Sequence, residues 1–384
     1  MMKFFNLFLL AAKYVARNRT RSLLTSIGVA TGMFLFTTIE TMQDSLKSAT
    51  VVTANDTTLV VYRENRFCPS TSRLPEYYKQ DIESIDGVTG VIPMQIVVNN
   101  CGTSLDVVVF RGILRDQIQT VSKDIKIIQG SLDQWLQRDD SALVGANLAQ
   151  RRRLKIGDTF DAAGVTVTVA AIIQSEESSQ DDNVAFVHLP FLQQASKLGL
   201  GMVTQFTVKV RDSSLLETVA KKIDETFKSA SDPTHTSAEK AFFANTAKEL
   251  IEFIQFSRWI GIASVFAVVG LIANTILITV RGKVAELGVL KTLGYSRGNI
   301  AWLIIAEGLI LALTGGLLGV LAATVFLRMQ SVTIGNEGLA LAFIPSVSVW
   351  VSGIILSILL GLLAGLYPAW HASRQSIAQN LRMS

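Results

Sequence analysis

Four long apolar runs constrain this chain more than any other feature of its sequence. A run of about 20 apolar residues crosses the ~30 Å hydrocarbon core of a bilayer as an α-helix, because a helix pairs its own backbone groups. A hydrophobic content of 49% and a mean hydropathy of +0.39 are high for a soluble protein of 384 residues. The sequence predicts transmembrane segments at 22–46, at 246–280 with a preceding stalk, at 300–327 and at 346–367.

Basic residues beside these runs indicate how the chain is oriented. Residues 1–21 combine an apolar start with a basic second half, which is the reverse of a cleavable signal peptide. We interpret them as an uncleaved amphipathic helix on the cytoplasmic surface. Residues 281–299 and the tail 368–384 are also basic, so the positive-inside rule places both in the cytoplasm.

Between the first and second runs the composition becomes that of an ordinary folded domain. Residues 47–245 alternate β-branched segments with helical patterns, which predicts an α+β extracytoplasmic domain with small sheets, inserted between the first and second transmembrane helices. The predicted strands are 57–62, 91–98, 104–110, 166–173, 185–189 and 205–210, and the predicted helices are 75–84, 143–153 and 214–229. A helix from about residue 241 is expected to continue into the second span, and 328–345 to form a short outer loop.

Both cysteines, Cys68 and Cys101, fall in this outer domain. In an oxidising compartment such a pair is expected to form a disulfide, which contributes roughly 3–4 kcal/mol to stability. The alternative is two separate buried thiols. We favour the disulfide because no cysteine occurs in a segment assigned to the cytoplasm or the membrane.

The cytoplasmic segment 281–299 predicts a short amphipathic helix between the second and third spans. Val284, Leu287 and Leu290 recur at helical spacing, and Gly294 marks the end of the helix. A short helix with basic flanks at the membrane surface is well placed to contact another protein. The alternative is an interfacial helix with no partner.

Glycines recur within the spans at a spacing of four residues, which lets helix backbones approach closely in lipid. The pairs are Gly28 and Gly32, Gly315 and Gly319, and Gly361 and Gly365. The sequence leaves open whether these faces pack within one chain or between two. Because four spans form only a small pathway, we expect a homodimer.

Glu307 is the acid that lies deep in the third span. A charge at mid-bilayer costs on the order of 2.5–3.5 kcal/mol on insertion scales, so the side chain is expected to face protein or water. Pairing with Arg281, Lys283 or a basic residue of the N-terminal helix would satisfy it. Proton or substrate handling is the alternative.

Several function classes find no support in the sequence. Residues 1–384 contain no Gly-x-x-x-x-Gly-Lys-Ser/Thr loop for a nucleotide, no set of histidines and cysteines at metal-ligand spacing and no recognisable catalytic pattern. The net charge of +4 is small and lies beside apolar runs, which favours membrane lipid over nucleic acid. We therefore expect no catalytic residues, no metal and no cofactor in this chain.

Several segments together resemble the MacB-type, FtsX-like permeases of the ABC transporter superfamily. The most specific likeness lies in KVAELGVLKTLGYSRGNI and in IIAEGLILALTGGLLG, which are similar to the family's signature between the second and third spans. Further likeness lies in RNRTRSLLTSIGVATG, in ALVGANLAQRRRLKIGDTF and in GLYPAWHASRQSIAQNLR. In the last segment, SIAQNLR stands where the family usually has DPVEALR.

The resemblance implies a multi-pass permease of the bacterial inner membrane with a periplasmic domain. It implies a dimer, with a second copy or a related permease, and separate ATPase subunits that bind ATP and Mg²⁺. A periplasmic adaptor is a further partner of this kind of protein. The segment 283–296 would hold the helix that docks on the ATPase. Its expected anchors are Val284, Leu287, Leu290 and Leu293, with Glu286 and Lys291 setting the charge register at the rim.

Two functions follow from this resemblance. The first is export or extraction of a hydrophobic, lipid, lipoprotein or peptide substrate, driven by the partner ATPase through movement of the outer domain. The second is a regulator that transmits the same movement to an extracytoplasmic enzyme, such as a cell-wall hydrolase, without transport. A folded outer domain of about 200 residues suits docking of an adaptor and favours export.

Overall fold

The computed structural model describes residues 2–51, 56–66, 71–99, 107–118, 125–175, 181–196, 199–246, 248–330, 332–336 and 339–374. Its helices are α1 Met2–Arg17, α2 Arg19–Thr50, α3 Tyr78–Glu83, α4 Leu132–Gln137, α5 Ala146–Arg152, α6 Leu189–Ala195, α7 Leu216–Thr226, α8 Glu239–Thr246, α9 Lys248–Gly282, α10 Val284–Thr292, α11 Arg297–Gln330 and α12 Val347–Arg374. Its strands are β1 Thr58–Arg63, β2 Leu74–Pro75, β3 Val88–Val98, β4 Val109–Ile113, β5 Ile125–Gly130, β6 Ser141–Gly145, β7 Thr159–Ala162, β8 Val165–Ser175, β9 Val184–His188, β10 Met202–Val203, β11 Gln205–Val210, β12 Thr234–Ala238, β13 Thr333–Asn336 and β14 Leu339–Ala342.

The chain forms two compact units. The helical unit comprises Met1–Asp44, Ile254–Met329 and Ile344–Ser384. The outer unit comprises Ser45–Phe253 and Gln330–Phe343. In sequence, the larger part of the outer unit is inserted between the first long helix and the others.

Four helices of the described chain are long and apolar enough to cross a membrane. They run over Arg19–Thr50, Ile251–Gly282, Arg297–Gln330 and Val347–Arg374. This confirms the prediction of four transmembrane helices around an inserted α+β domain. The helices extend past the predicted apolar limits, because apolar content sets the length that lipid can cover and not the residue at which a helix ends.

One apolar core holds the helical unit together. Each of α1, α2, α9, α10, α11 and α12 contributes to it, through buried side chains such as Leu7, Val29, Ile272, Leu287, Ile300 and Leu360. Because α1 and α10 share this core with the long helices, both short helices are integral parts of the helical unit.

The outer unit is built on a mixed sheet. In the described residues it has ten strands in the order β12–β1–β11–β3–β4–β9–β6–β8–β5, with β7 paired to β8. Strand β3 serves both halves, since it pairs with β11 as far as Met94 and with β4 from Gln95 onward. The prediction of small sheets was therefore wrong, because strand periodicity does not show that one long strand joins two halves.

Each half of the sheet has its own apolar core. Helices α3 and α7 cover the first half, where Tyr78 stacks on Phe227 with ring centroids 4.1 Å apart. In the second half, the fully buried Trp135 of α4 packs in one cluster, and Phe110 and Leu148 pack in another. This division explains how a domain of mixed topology buries strands on both faces.

One predicted helix, 143–153, is wrong at its start. Ser141–Gly145 is the strand β6, and all five of its residues are buried. Helix α5 begins only at Ala146. A strand that is buried on both faces lacks the alternation that distinguishes strand from helix, so its apolar run was assigned to the following helix.

Several predictions touch residues outside the described part of the chain. The strand predicted at 104–110 begins there, and the tail 368–384 ends there. Cys68 and Cys101 both lie there, so the disulfide stays a prediction. Helix α9 is continuous from Lys248 to Gly282, and α8 precedes it, but residue 247 between them is not among the described residues.

A short 3₁₀ turn, Asp181–Asn183, ties several strands of the outer unit together. The Asp182 carboxylate accepts the Ser175 N–H at 2.7 Å, and burial raises the pKa of Asp182 to about 6. A Cβ on Gly145 of β6 would lie 2.3 Å from the carbonyl carbon of Asp182, so only glycine fits there. The turn is therefore packed against backbone and cannot shift without moving β6.

The predicted outer loop 328–345 contains a β-hairpin that the sequence analysis missed. Strands β13 and β14 pair antiparallel, and Thr333 Oγ1 donates a hydrogen bond of 3.0 Å to Asn183 Oδ1. Both residues are buried, as are Leu341 and Phe343. The hairpin is thus a packed part of the outer unit.

Candidate functional site

The candidate site is α10, the short helix between two transmembrane helices. It follows α9 after the single residue Lys283 and ends at Thr292. Gly294 has φ +88°, and the Tyr295 N–H bonds the Leu290 carbonyl at 3.1 Å. These are the features of a left-handed helix C-terminus, which confirms the predicted stop at Gly294.

The apolar residues of α10 divide between two surfaces. Leu287 is only 3% exposed, and Leu290 packs against the core of the helical unit. By contrast Val289, Leu293 and Tyr295 are 52%, 69% and 38% exposed. Of the anchors expected for a partner, Leu293 is therefore available and Leu287 is not.

Val284 and Leu290, two further expected anchors, are half-buried. The apolar stripe that the spacing predicts therefore faces the core of its own chain. Spacing reveals an apolar face but does not show which surface covers it, so the stripe was assigned to a partner. Val289 and Tyr295 were missed since they lie off that stripe.

The two polar residues expected at the rim are both engaged within the chain. Arg17 of α1 donates to the Glu286 carboxylate at 2.6 Å, and this hydrogen bond lowers the pKa of Glu286. The Lys291 ammonium donates to the carbonyl oxygens of Ala372 and Ser373 at 3.4 and 3.3 Å, and burial lowers the pKa of Lys291. These contacts attach α10 to α1 and to the end of α12.

A buried ion pair fixes the start of α10. Lys283 Nζ donates to Glu307 Oε1 at 2.9 Å, and both side chains are 7% exposed. The same ammonium lies 3.8 Å from the centre of the Tyr14 ring of α1. Of the three cations proposed from the sequence for Glu307, the structure thus brings Lys283 to it.

The glycine pairs pack against neighbouring helices of the same chain. A Cβ on Gly28 or Gly32 of α2 would meet Leu271 or Val268 of α9 at 2.3 Å. The glycine pair of α11 faces α2, with Gly315 against Val29 and Gly319 against Ala30. The glycine pair of α12 faces α11, with Gly361 against Leu309 and Gly365 against Ile305. The sequence left open whether these glycine faces pack within one chain or between two, and in the structure all three pairs pack within one chain.

A cavity of about 640 Å³ opens in the outer unit where the parallel strands β4 and β9 end. His188 is one of the residues that line it, and its ring stacks on Trp135 with ring centroids 3.9 Å apart. Its Nε2 bonds the Trp135 carbonyl and its Nδ1 accepts from Arg115, while burial lowers the pKa of His188. The described residues contain no group of three or more metal-ligating side chains.

Two family models match the chain. The MacB-like periplasmic core domain matches residues 22–226, which is more than half of the chain, and the FtsX-like permease C-terminal domain matches residues 259–377. The chain belongs to the MacB-type, FtsX-like family of ABC transporter permeases. The resemblance drawn from the sequence motifs is confirmed. This permease is a multi-pass membrane protein with an extracytoplasmic domain, and permeases of this family act with an ABC ATPase.

Relatives support the same assignment along nearly the whole chain. The permease is 22% identical to the ABC transporter permease MJ1507 of Methanocaldococcus jannaschii, over 99% of this chain and 98% of that protein. It is 23% identical to the macrolide export ATP-binding/permease protein MacB of Bartonella henselae, over 97% of this chain but only 58% of that protein. The periplasmic region of MacB from Actinobacillus actinomycetemcomitans aligns with 52% of the permease and 94% of that region at 16% identity, with a TM-score of 0.35.

Proposed function

We propose that this permease couples ATP hydrolysis by a separate ATPase subunit to movement of its extracytoplasmic domain, and so exports or extracts a hydrophobic, lipid, lipoprotein or peptide substrate. In this proposal it works at the bacterial inner membrane as a homodimer, or with a related permease, together with two ATPase subunits and a periplasmic adaptor. The single observation that carries the proposal is α10, which is attached to its own chain on one side and exposes apolar side chains at its end.

The proposed ATPase contact surface consists of Val289, Leu293 and Tyr295. They lie within seven residues of one another and are exposed in the chain. Burying an exposed aliphatic side chain fully in an interface contributes about 1.5–3 kcal/mol, and apolar and aromatic anchors typically dominate such contacts. Three such side chains suit a groove on a partner protein better than a solvated loop.

The attachments of α10 support transmission of a load from that surface. Glu286 connects α10 to α1, Lys283 connects its start to α11, and Lys291 connects its end to α12. A displacement of α10 would therefore act on several helices at once. Helix α9, which begins at Lys248 in the sequence of the outer unit, continues without a break to Gly282 just before α10.

The relatives and the spans support the proposed substrate class. A relative named for macrolide export favours a hydrophobic substrate, and the names of the matched relatives favour transport over activation of an enzyme. In the described part of the helical unit, the buried charged residues are Lys283 and Glu307, and they pair with each other. A route that does not pass between the spans is consistent with so few buried charges.

Binding of the ATPase tests the contact surface. Leu293→Gln should weaken binding of the co-expressed ATPase by about tenfold or more, since a fully desolvated leucine would be lost. Leu200→Gln is the matched control, because Leu200 of the outer unit is 63% exposed and lies outside the proposed surface. Equal binding by the Leu293→Gln variant and the control would refute the assignment.

Transport by the reconstituted complex tests the role of α9. Ser257→Pro should abolish transport and leave ATP hydrolysis in place, because proline breaks the helix ladder without touching α10. Ser257→Ala keeps the helix and should transport normally. Intact transport by a well-folded Ser257→Pro variant would show that movement does not travel along this helix.

A further inference from the structure

Helix α1 has a buried apolar face and an exposed side that carries both apolar and basic residues. Leu7 and Ala11 are 3% and 0% exposed and belong to the core of the helical unit. Phe8 and Leu9 are 40% and 45% exposed. Lys13 and Arg17 follow Leu9 at successive spacings of four residues, so these cations form a basic stripe on the same exposed side of the helix as Leu9.

The charge of this region has one sign. Residues 1–39 contain five basic residues and no Asp or Glu. Lys13, Arg19 and Arg21 are exposed and have no acidic partner among the residues that the structure describes. A basic segment of this kind is attracted to the anionic headgroups of a bilayer leaflet.

Exposed apolar residues next to these cations favour a lipid surface over an acidic protein. Leu23, Leu24 and Ile27, at the start of α2, are 62%, 65% and 54% exposed and directly follow Arg19 and Arg21. A transmembrane helix presents such side chains to lipid. Arg19 and Arg21 therefore lie at the level where the apolar part of α2 begins, which is the headgroup level.

Helix α1 is also attached to α10. Arg17, from the basic stripe, donates to Glu286, and Tyr14 lies under the Lys283 ammonium. The Arg17–Glu286 pair is exposed, with 63% and 36% of the two side chains accessible, so it is weak unless something else holds α1 in position. Lipid binding by the neighbouring cations would provide that restraint.

We propose that α1 is a binding site for anionic phospholipid headgroups, which Lys13, Arg19 and Arg21 contact while Phe8 and Leu9 enter the acyl region. Binding holds α1 in place, and Arg17 and Tyr14 then brace α10. The lipid composition of the leaflet thus sets how firmly α10 is held. This inference is independent of the identity of the ATPase and of the substrate.

Photo-crosslinking in nanodiscs tests the lipid site on the full chain. Photoactivatable phosphatidylglycerol should label the α1 region at least tenfold more than photoactivatable phosphatidylcholine, since each of the three basic residues strengthens binding to an anionic surface about fivefold. In the Lys13→Gln/Arg19→Gln/Arg21→Gln variant this preference should disappear. Equal labelling of the native chain by both lipids would overturn the proposal.

A matched control removes the same number of charges elsewhere. Lys221→Gln/Lys222→Gln/Lys228→Gln neutralises three exposed residues of the outer unit and should keep the preference for phosphatidylglycerol. Loss of the preference in this control would mean that net charge alone attracts the lipid, which would also overturn a site on α1.

Amide exchange of α10 tests the brace. In the native chain, amides of Val284–Thr292 should exchange several-fold more slowly in nanodiscs that contain phosphatidylglycerol than in phosphatidylcholine alone. Arg17→Gln should keep the lipid labelling, because the three contacting cations remain, but lose this dependence of α10 on lipid. Exchange of α10 that is the same in both lipids for the native chain would refute the brace.

Discussion

The contact between Lys283 and Glu307 shows how a charge is tolerated beside the membrane core. Neither charge is exposed to more than 7%, so each depends on the other and on the Tyr14 ring that covers the ammonium. Taking two charges out of water costs about as much as their attraction returns, so a buried pair adds little net stability. Removing only one of the two charges is strongly destabilising, because the other charge is left buried without a partner.

Lys283→Met should therefore destabilise the helical unit by about 3–5 kcal/mol. The double variant Lys283→Met/Glu307→Leu should recover most of that loss, since an apolar pair of similar volume replaces the ionic one. Thermal unfolding of the purified chain in detergent measures both. The explanation fails if the single and double variants unfold at the same temperature.

Asp182 is one residue whose protonation should affect the outer unit. Its pKa of about 6 lies above that of an unfolded aspartate, about 3.9, because its carboxyl group is buried. The folded state therefore binds more protons than the unfolded state between these values. Stability falls as the pH rises through this window, from about 4 to about 6.

Asp182→Asn should keep an acceptor for the Ser175 N–H but carry no charge. Near pH 7 we expect it to stabilise the turn by about 2–3 kcal/mol, from a shift of roughly two pKa units, and below about pH 4 to have no effect. Amide exchange of β8 and β9 in the native and variant chains, compared at each pH, measures the difference. A difference that does not change with pH would contradict this account.

Among the four long helices of the described chain, α11 is the most deeply buried. On one side a Cβ on Gly315 would lie 2.7 Å from the Ser26 carbonyl oxygen of α2, and on the other a Cβ on Gly316 would lie 2.0 Å from Ser357 Oγ of α12. Backbones in lipid associate through such close van der Waals contact. Adjacent glycines thus allow one helix to pack against two neighbours.

Gly315→Ala should destabilise the helical unit by about 1–3 kcal/mol, because the added methyl group meets backbone that cannot move aside cheaply. Gly270→Ala is the matched control, since a Cβ there has nothing within 4 Å and alanine favours the helix. The melting temperatures of the two variants in detergent should move in opposite directions. Equal shifts would mean that helix propensity outweighs packing.

The sequence predicted the elements that a single strong constraint determines. Apolar runs in lipid can only be helices, so the four spans were found, and Gly294 ended α10 as expected. Prediction failed where an apolar stripe could be buried either by the chain's own core or by a partner protein. Leu287 lies on a clear apolar stripe, yet nothing in the spacing tells whether its own core or a partner buries it.

The outer unit was harder to predict because its elements are short and depend on distant residues. Leu143 belongs to a strand whose neighbours β8 and β9 are later in the chain, so no local pattern marks it. The hairpin of β13 and β14 is separated from its partner Asn183 by about 150 residues. Its four-residue strands are too short for a periodicity argument.

At the scale of the whole molecule, that hairpin is part of the outer unit although it lies between α11 and α12 in sequence. Thr333→Val should remove its buried hydrogen bond to Asn183 and speed amide exchange of β13 and β14, in keeping with a cost of about 1–3 kcal/mol. Thr166→Val, at an exposed threonine of β8, should leave the hairpin unchanged. Equal exchange in both variants would show that apolar packing alone holds the hairpin.

The short segment that follows the hairpin limits the distance between β14 and α12. Strand β14 ends at Ala342 and α12 begins at Val347, so only four residues join them. Fully extended, this segment places the Cα atoms of Ala342 and Val347 roughly 17 Å apart. If the outer unit moves as we propose, β14 can separate from the first turn of α12 by no more than this distance, and a larger displacement would have to detach the hairpin from the outer unit.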